Sequence, residues 1–442
     1  MLFPFVITLV LVVFLSCSSD DGFNGDGSSG GTSQGGSSSS NGGVSNAEWP
    51  FDSSDPVLPS TPGLAGLGLT NVIKIEYKDG SAPVTDNVPA GVSIEKTDEN
   101  VVVTLPNESN NETQYNFVLS GTAKNGSLKI YGSARKGLYL NNVKITNNTG
   151  PAINIQGSKR AIVHLLTGTQ NFLADGSNYS TPPNGEDAKG TFFSENKLSF
   201  EGSGSLEVKA KYKHGIVVDD DIEITNGKII ISEAVSDGIH ANDIIEIKGG
   251  ILKITSTGDA IQSEIAGKGI KITGGKIAAT TNGIKSHGIT SEESVEIDGN
   301  TTVIQISVWG NGSKGIKSSK NVYFLGGKTS IKVSGTKHTD NDDESTPSGI
   351  KTNTDLFIDN GELTIKSPGS EAKGISIDGD GTIKAGKTDI EADDDGIKVK
   401  GKLKIQGGTL SVKSKKKKAI DGSYDKNSCT PATGCNLVDG GF

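Results

Sequence analysis

The chain is 442 residues long, with 60 glycines, 5% aromatic residues, a single methionine and a formal net charge of −9. Many turn-formers and few rings suit a narrow interior of Ile, Val and Leu, and the acidic balance excludes wholesale nucleic-acid binding through a basic surface. Such a length ordinarily implies two or three domains, but a solenoid absorbs it as one.

Residues 1–16 carry an apolar run, Leu2 to Leu15, that is too short to span a bilayer and is followed by polar sequence. It reads as a signal peptide. Leu15-Ser16-Cys17 resembles a bacterial lipobox, which implies cleavage before Cys17 and its lipidation. Phe14 and the lack of Lys or Arg before the run depart from that pattern. A simple signal peptide with an incidental cysteine is the alternative. Asp20-Asp21 resembles the surface-export signals of Bacteroidetes lipoproteins. Residues 17–46 then form the lipidated cysteine and a Gly/Ser-rich flexible tether. The expected location is the outer membrane of a Gram-negative bacterium, as a cell-surface lipoprotein held by its lipid alone.

Residues 47–148 hold less regular strands (around Val72–Tyr77, Val101–Leu105, Tyr115–Leu119, Ser127–Tyr131 and Leu138–Ile145), expected as an N-terminal cap and the first rungs. A solenoid end must cover its open core. Residues 149–422 repeat one unit, clearest between His214 and Thr257. Gly215-Ile216 opens it and Gly238-Ile239 opens it again, 23 residues later. Two alternating runs follow (Ile222/Ile224 and Ile229/Ile231, then Ile245/Ile247 and Leu252/Ile254), separated by a glycine turn. That pattern predicts three period-2 strands of about five residues per unit, with no room for a helix. The opening isoleucine is read again at Ile261, Ile284, Ile316, Ile350, Ile375, Ile397 and Ile420. Strand triplets at this period bury their apolar face only by stacking. The predicted fold is all-β, a single-stranded parallel β-helix, right-handed because parallel crossovers nearly always are. Residues 423–442 form a C-terminal tail in which Cys429 and Cys435 either close a small disulfide loop or remain free thiols.

Stacking makes the position within a rung informative. The residue preceding each opening Gly/Ala-Ile step reads His214, Asp237, Asp259, Asn282, Lys314, Ser348, Lys373, Asp395 and Lys418. Asp237 and Asp259 would lie about 5 Å apart on adjacent rungs, with Asn282 beyond them. Hard oxygen donors at that spacing suit Ca²⁺, whereas Asp395 between Lys373 and Lys418 reads as an ordinary ion-pair ladder. Turn carboxylates that cap strands are the alternative. Asp219, Asp220, Asp221, Asn242, Asp243 and Glu264 form a second oxygen cluster, expected about 16 Å away across five strand residues. The Thr339–Glu344 insertion is acidic, lacks EF-hand spacing and reads as a disordered loop. Lys285, Lys317, Lys351 and Lys398 follow opening isoleucines and predict a cationic row. Such a row fits a polyanionic chain, or it is a solvated face that discourages aggregation. Trp309 is the best candidate for stacking on a sugar.

The runs GPAINIQGSKRAIVHLLTGTQNFLADGSNY, LSFEGSGSLEVKAKYKHGIVVDDDIEITNGKIIIS and SDGIHANDIIEIKGGILKIT resemble a bacterial carbohydrate-binding β-helix family, related in fold to pectate lyases. The resemblance covers about Val72 to Asp421. It implies calcium and the binding of polygalacturonate or cellulose-like polysaccharide without cleavage. The expected protein is a monomeric, non-catalytic binder of acidic polysaccharide. Its runner-up is a calcium-dependent pectate lyase, disfavoured because Arg135 and Arg160 are the only arginines and neither lies in the acidic rungs. A structural adhesin is the third reading.

Overall fold

The computed structural model describes Leu58 and residues 64–107, 113–340 and 343–440. The reading of Cys17, its signal peptide and its tether lies outside the described residues. The described chain is all-β and winds as a parallel β-solenoid of about 13 turns. One rung shows the plan. Ile239–Ala241 lies on a first face, Ile245–Ile247 on a second and Ile251–Ser256 on a third. Each strand pairs in parallel with its counterparts one rung before and after: Ile239 with Ile216 and Ile261, Ile245 with Ile222 and Ile270, Leu252 with Ile229 and Ile277.

The expectation of five-residue strands needs correction. On the first two faces of this rung the strands are three residues long, and on the third face six. The short strands bring the two turns flanking the first face close together.

The core is a continuous ladder of like residues. On the first face Ile216, Ile239, Ile261, Ile289, Ile316, Ile350, Ile375, Ile397 and Ile420 stack in register. Burying each isoleucine contributes roughly 1.5–3 kcal/mol. A glycine precedes seven of these nine isoleucines, and Ala260 and Ala419 precede the other two. Where it is glycine, space is tight. A Cβ on Gly238 would lie 2.3 Å from Ile254 Cγ2, and one on Gly315 would lie 2.3 Å from Ile331 Cγ2. The third-face isoleucines fill the corner that the glycines leave.

Ile284 is not part of this ladder. It is 63% exposed, in a long turn between Thr281 and His287, and Ile289 takes its slot. Two Gly-Ile steps compete here, Gly283-Ile284 and Gly288-Ile289. The later one wins because it also sets Ser291 in a fully buried row with Ser263, Ser318 and Thr352. Their hydroxyls bond turn carbonyls: Ser263 to Asp243, Ser318 to Glu293, and Thr352 to Lys320.

Before the regular rungs, Val72–Lys78 pairs antiparallel with Ser81–Asp86 and parallel with Gln114–Ala123. Ser93–Thr97 pairs antiparallel with Glu99–Thr104. A small outer cluster of Val118, Tyr139 and Leu166 packs under Leu64, Leu67, Leu69 and Val72. At the other end, Cys429 and Cys435 are joined in a disulfide with a Cα–Cα distance of 4.9 Å.

Candidate functional site

The first face carries two chemically distinct halves. Its outward-facing residues run in register as Val217, His240, Gln262, Thr290, Lys317, Lys351, Ser376, Lys398 and Asp421. Imidazoles and carboxylates crowd the early rungs; ammonium groups crowd the later ones.

In the early half, the residue before the opening Gly/Ala-Ile step uses its side chain to accept the backbone N–H of its successor one rung on. His214 Nδ1 accepts from Asp237 N at 3.3 Å, Asp237 Oδ1 from Asp259 N at 2.7 Å, Asp259 Oδ1 from His287 N at 2.5 Å, and His287 Nδ1 from Lys314 N at 3.0 Å. His287 therefore occupies the position expected for Asn282, which sits exposed in the long turn. The remaining Asp237 oxygen lies 3.0 Å from His214 Nδ1 and 3.0 Å from His240 Nδ1. Asp237 and Asp259 are thus not an open carboxylate pair, since both Asp237 oxygens are engaged.

His240 also reaches Glu264, with Nε2 3.1 Å from Oε2. The two oxygen clusters expected to be separate are bridged by one outward imidazole on a three-residue strand. Histidine was overlooked at this point. The readable signal was His240 three residues after Asp237, with His214 one rung earlier.

Electrostatics follow from burial and these contacts. Burial opposes ionisation of Asp237, but hydrogen bonds and charge from His214 and His240 outweigh it and hold the carboxyl well below the usual range. Burial opposes protonation of His240, yet Asp237 and Glu264 push it up to about 9. Burial lowers His214 despite Asp237. Asp259 is pushed up to about 7 by burial and by the neighbouring Asp237 charge.

In the next turn, Asp220, Asp221 and Asp243 bring carboxylate oxygens within 4.8 Å of one another. Asp220 accepts Asp221 N–H at 2.7 Å and Asp221 accepts Ile244 N–H at 3.1 Å. Lys268 pairs with Asp243 at 3.0 Å and Lys197 with Asp221 at 3.7 Å. Asp219 accepts from the Asn242 amide at 3.4 Å.

In the later half, Lys314, Lys351, Lys373, Lys398 and Lys400 line a groove of ≈ 380 Å³ together with Glu344 and Asp378. Lys351 and Lys400 share Asp378 at 2.5 and 3.1 Å, and Lys373 pairs with Asp394 at 2.7 Å. Lys398 lies 3.6 Å from Asp421. Lys317 makes no ion pair among the described residues. The Lys314 ammonium donates to Gly312 O at 2.8 Å and to Ser345 Oγ. Burial, then the charges of Lys317, Lys285 and Lys351, push Lys314 down to about 8.

Three expectations are corrected here. Lys285 does not belong to the cationic row: it sits at positive φ in the long turn and pairs with Asp343, while Thr290 holds its slot. The acidic insertion forms a hairpin, with His338–Asp340 antiparallel to Asp343–Ser345, and this hairpin walls the groove. Asn341 and Asp342 lie outside the described residues. Asp395 does not sit in an ion-pair ladder either. Lys373 and Lys417 pair with Asp394, Lys418 pairs with Asp421, and burial raises the Asp395 carboxyl. Trp309 stands apart, 42% exposed, with the Lys332 ammonium 5.3 Å from its ring centre.

A family model described as "Carbohydrate-binding domain-containing protein" matches residues 97–372. Among solved structures, a polysaccharide lyase-like protein from C. thermocellum, as its gadolinium derivative, is similar at 23% identity with a TM-score of 0.44. That match covers 66% of this chain and 96% of the other. No curated protein matches the chain.

Proposed function

This chain belongs to the family of carbohydrate-binding domain-containing proteins, and we propose that it binds acidic polysaccharide of the polyuronate type along its first face, without cleaving it. The observation that carries this reading is the lysine groove. Five ammonium groups and two carboxylates line ≈ 380 Å³. Lys351, Lys373, Lys398 and Lys400 are paired with Asp378, Asp394 or Asp421, while Lys314 and, on the same strand, Lys317 make no ion pair among the described residues. Lys317 and Lys351 stand side by side on adjacent rungs, about 4.8 Å apart, and favour a ligand whose own charges repeat along a line. A cellulose-like chain offers no such charge. The test is a glycan array of charged and neutral polysaccharides, probed with and without chelator. Selective retention of polyuronates supports the reading; equal retention of neutral glucans contradicts it.

Calcium, implied by the family resemblance, belongs to the same proposal. Asp220, Asp221 and Asp243 fit a hard cation, because they offer clustered, partly exposed oxygen donors. Asp237 and Asp259 do not fit calcium, because Oδ1 of each accepts a backbone N–H and the groups around Asp237 Oδ2 are imidazole nitrogens rather than oxygen donors. An ion at the three aspartates would supply positive charge beside the acidic half of the face. The three residues themselves hold the turns of two adjacent rungs together. Attachment to the outer surface through Cys17 is likewise proposed, from the lipobox-like junction.

A second reading is favoured by one residue. Lys314, held near 8, has a substantial neutral fraction at mildly alkaline pH and could act as a general base. In a β-elimination its amine would take the uronate C5 proton, with the C4 glycosidic oxygen leaving. Lys317 and Lys351 would hold the uronate carboxylate. A steady rise in absorbance from unsaturated ends on polygalacturonate, lost in Lys314→Met, would establish this reading over the non-catalytic one.

A further inference from the structure

Beyond glycan binding, we infer that His214, Asp237 and His240 form a binding site for a borderline transition-metal ion such as Zn²⁺, distinct from the aspartate cluster in the adjoining turn. His214, Asp237 and His240 each bring one ligand atom within 4.8 Å of the others'. Both imidazole nitrogens stand 3.0 Å from the same carboxylate oxygen, and a metal would take the His214 Nδ1 lone pair from its long 3.3 Å contact with the Asp237 N–H. Metal bonds of about 2.0–2.1 Å at angles near tetrahedral separate ligand atoms by roughly 3.0–3.4 Å, so two edges of the polyhedron are already set.

The surroundings are those of an oriented site. Glu264 Oε2 holds His240 Nε2 at 3.1 Å, the carboxylate–histidine arrangement that aims the other ring nitrogen at a metal. The Asp259 N–H holds Asp237 Oδ1 at 2.7 Å, which leaves Oδ2 facing the imidazoles. The rings of His214 and His240 are 4.6 Å apart. The side chains of His214, Asp237 and His240 are only 12, 9 and 11% exposed, whereas Glu264 is 57% exposed and rims the opening. Two carboxylates match the charge of a divalent ion. Two nitrogen donors and one oxygen suit zinc or a neighbouring metal rather than calcium, which takes oxygen ligands. Three protein ligands leave a position for water or a ligand atom on the glycan-facing surface.

The test uses the full chain, stripped with chelator and then held in excess calcium, titrated with zinc chloride in a calorimeter. One equivalent of zinc should bind. His214→Ala and His240→Ala should each abolish uptake, and Glu264→Gln should weaken it roughly 10–100-fold. Asp220→Asn should leave it unchanged. No uptake in calcium-saturated protein, or uptake that survives both histidine variants, overturns the site. If the alanine variants fail to fold, cobalt(II) added to the unaltered protein decides. Intense visible bands from a low-coordinate nitrogen site support the inference, and only the weak bands of an octahedral oxygen site overturn it. Glycan affinity is measured separately, so failure of the metal site leaves the polysaccharide reading standing.

Discussion

Asp237 accepts the backbone N–H of Asp259 through Oδ1 at 2.7 Å, across one rung of the solenoid. The contact turns what reads in sequence as two repelling carboxylates into one link of a side-chain-to-backbone ladder. It also separates their roles. Asp237 is ionised between two imidazoles, while Asp259, buried beside that charge, favours its proton.

A pH dependence follows from Asp259. Its folded value of about 7 lies above the ordinary aspartate value of 3.8, so between these limits the native state binds more protons than the unfolded chain. Stability from this group is complete below about 4 and declines as pH rises through about 7. Asp259→Asn keeps an oxygen for the His287 N–H and removes the titration. Urea melts from pH 4 to 8 should show a flatter stability profile in the variant. At pH 8 the variant should match or exceed the unaltered protein.

The competing Gly-Ile steps give a stability prediction. Ile289→Ala removes a fully buried ladder residue and should cost about 2–5 kcal/mol. Ile284→Ala, in the exposed turn, should stay within about 0.5 kcal/mol. Denaturant midpoints of the two variants check this directly.

These two isoleucines also mark how far the sequence could be read. Like residues at a fixed step must stack, so the solenoid, its three strands per rung and most of its isoleucine ladder were legible. The register through the long turn was not. Only the buried row of Ser263 and Ser291, and the Asp259 bond to His287, choose between the two steps. The slip moved Asn282 into a column it does not join and Lys285 into a row it does not join. Taking five residues per strand hid the bridge from Asp237 through His240 to Glu264. The lysine groove was half legible. Lys317 and Lys351 were on the row, but its hairpin wall and the burial of Lys314 are tertiary facts.

Lys314 gives a pH prediction for the proposed ligand binding. Its ammonium loses its proton as pH rises through about 8, which removes one positive charge from the groove. Polyuronate affinity should therefore fall between pH 7 and 9, where the uronates stay ionised. Lys314→Met should bind more weakly at pH 7 and show a flatter profile across that range. Titrations at matched ionic strength keep screening constant.

Cys17 gives the anchor prediction. Cys17→Ala should move the protein from the membrane fraction to the soluble fraction after carbonate washing. Retention of the variant on membranes would remove the lipoprotein reading.

The most direct test of polysaccharide recognition is calorimetric titration of polygalacturonate into the unaltered protein and into a Lys317→Ala/Lys351→Ala double variant. The double variant removes two adjacent ammonium groups from the first face without touching the isoleucine ladder. The expected result is measurable binding by the unaltered protein and about tenfold or greater weakening in the variant, ~1.4 kcal/mol or more, with unchanged melting. Equal affinity in both proteins, or equal affinity for an uncharged glucan, would contradict recognition of acidic polysaccharide by the lysines of the first face.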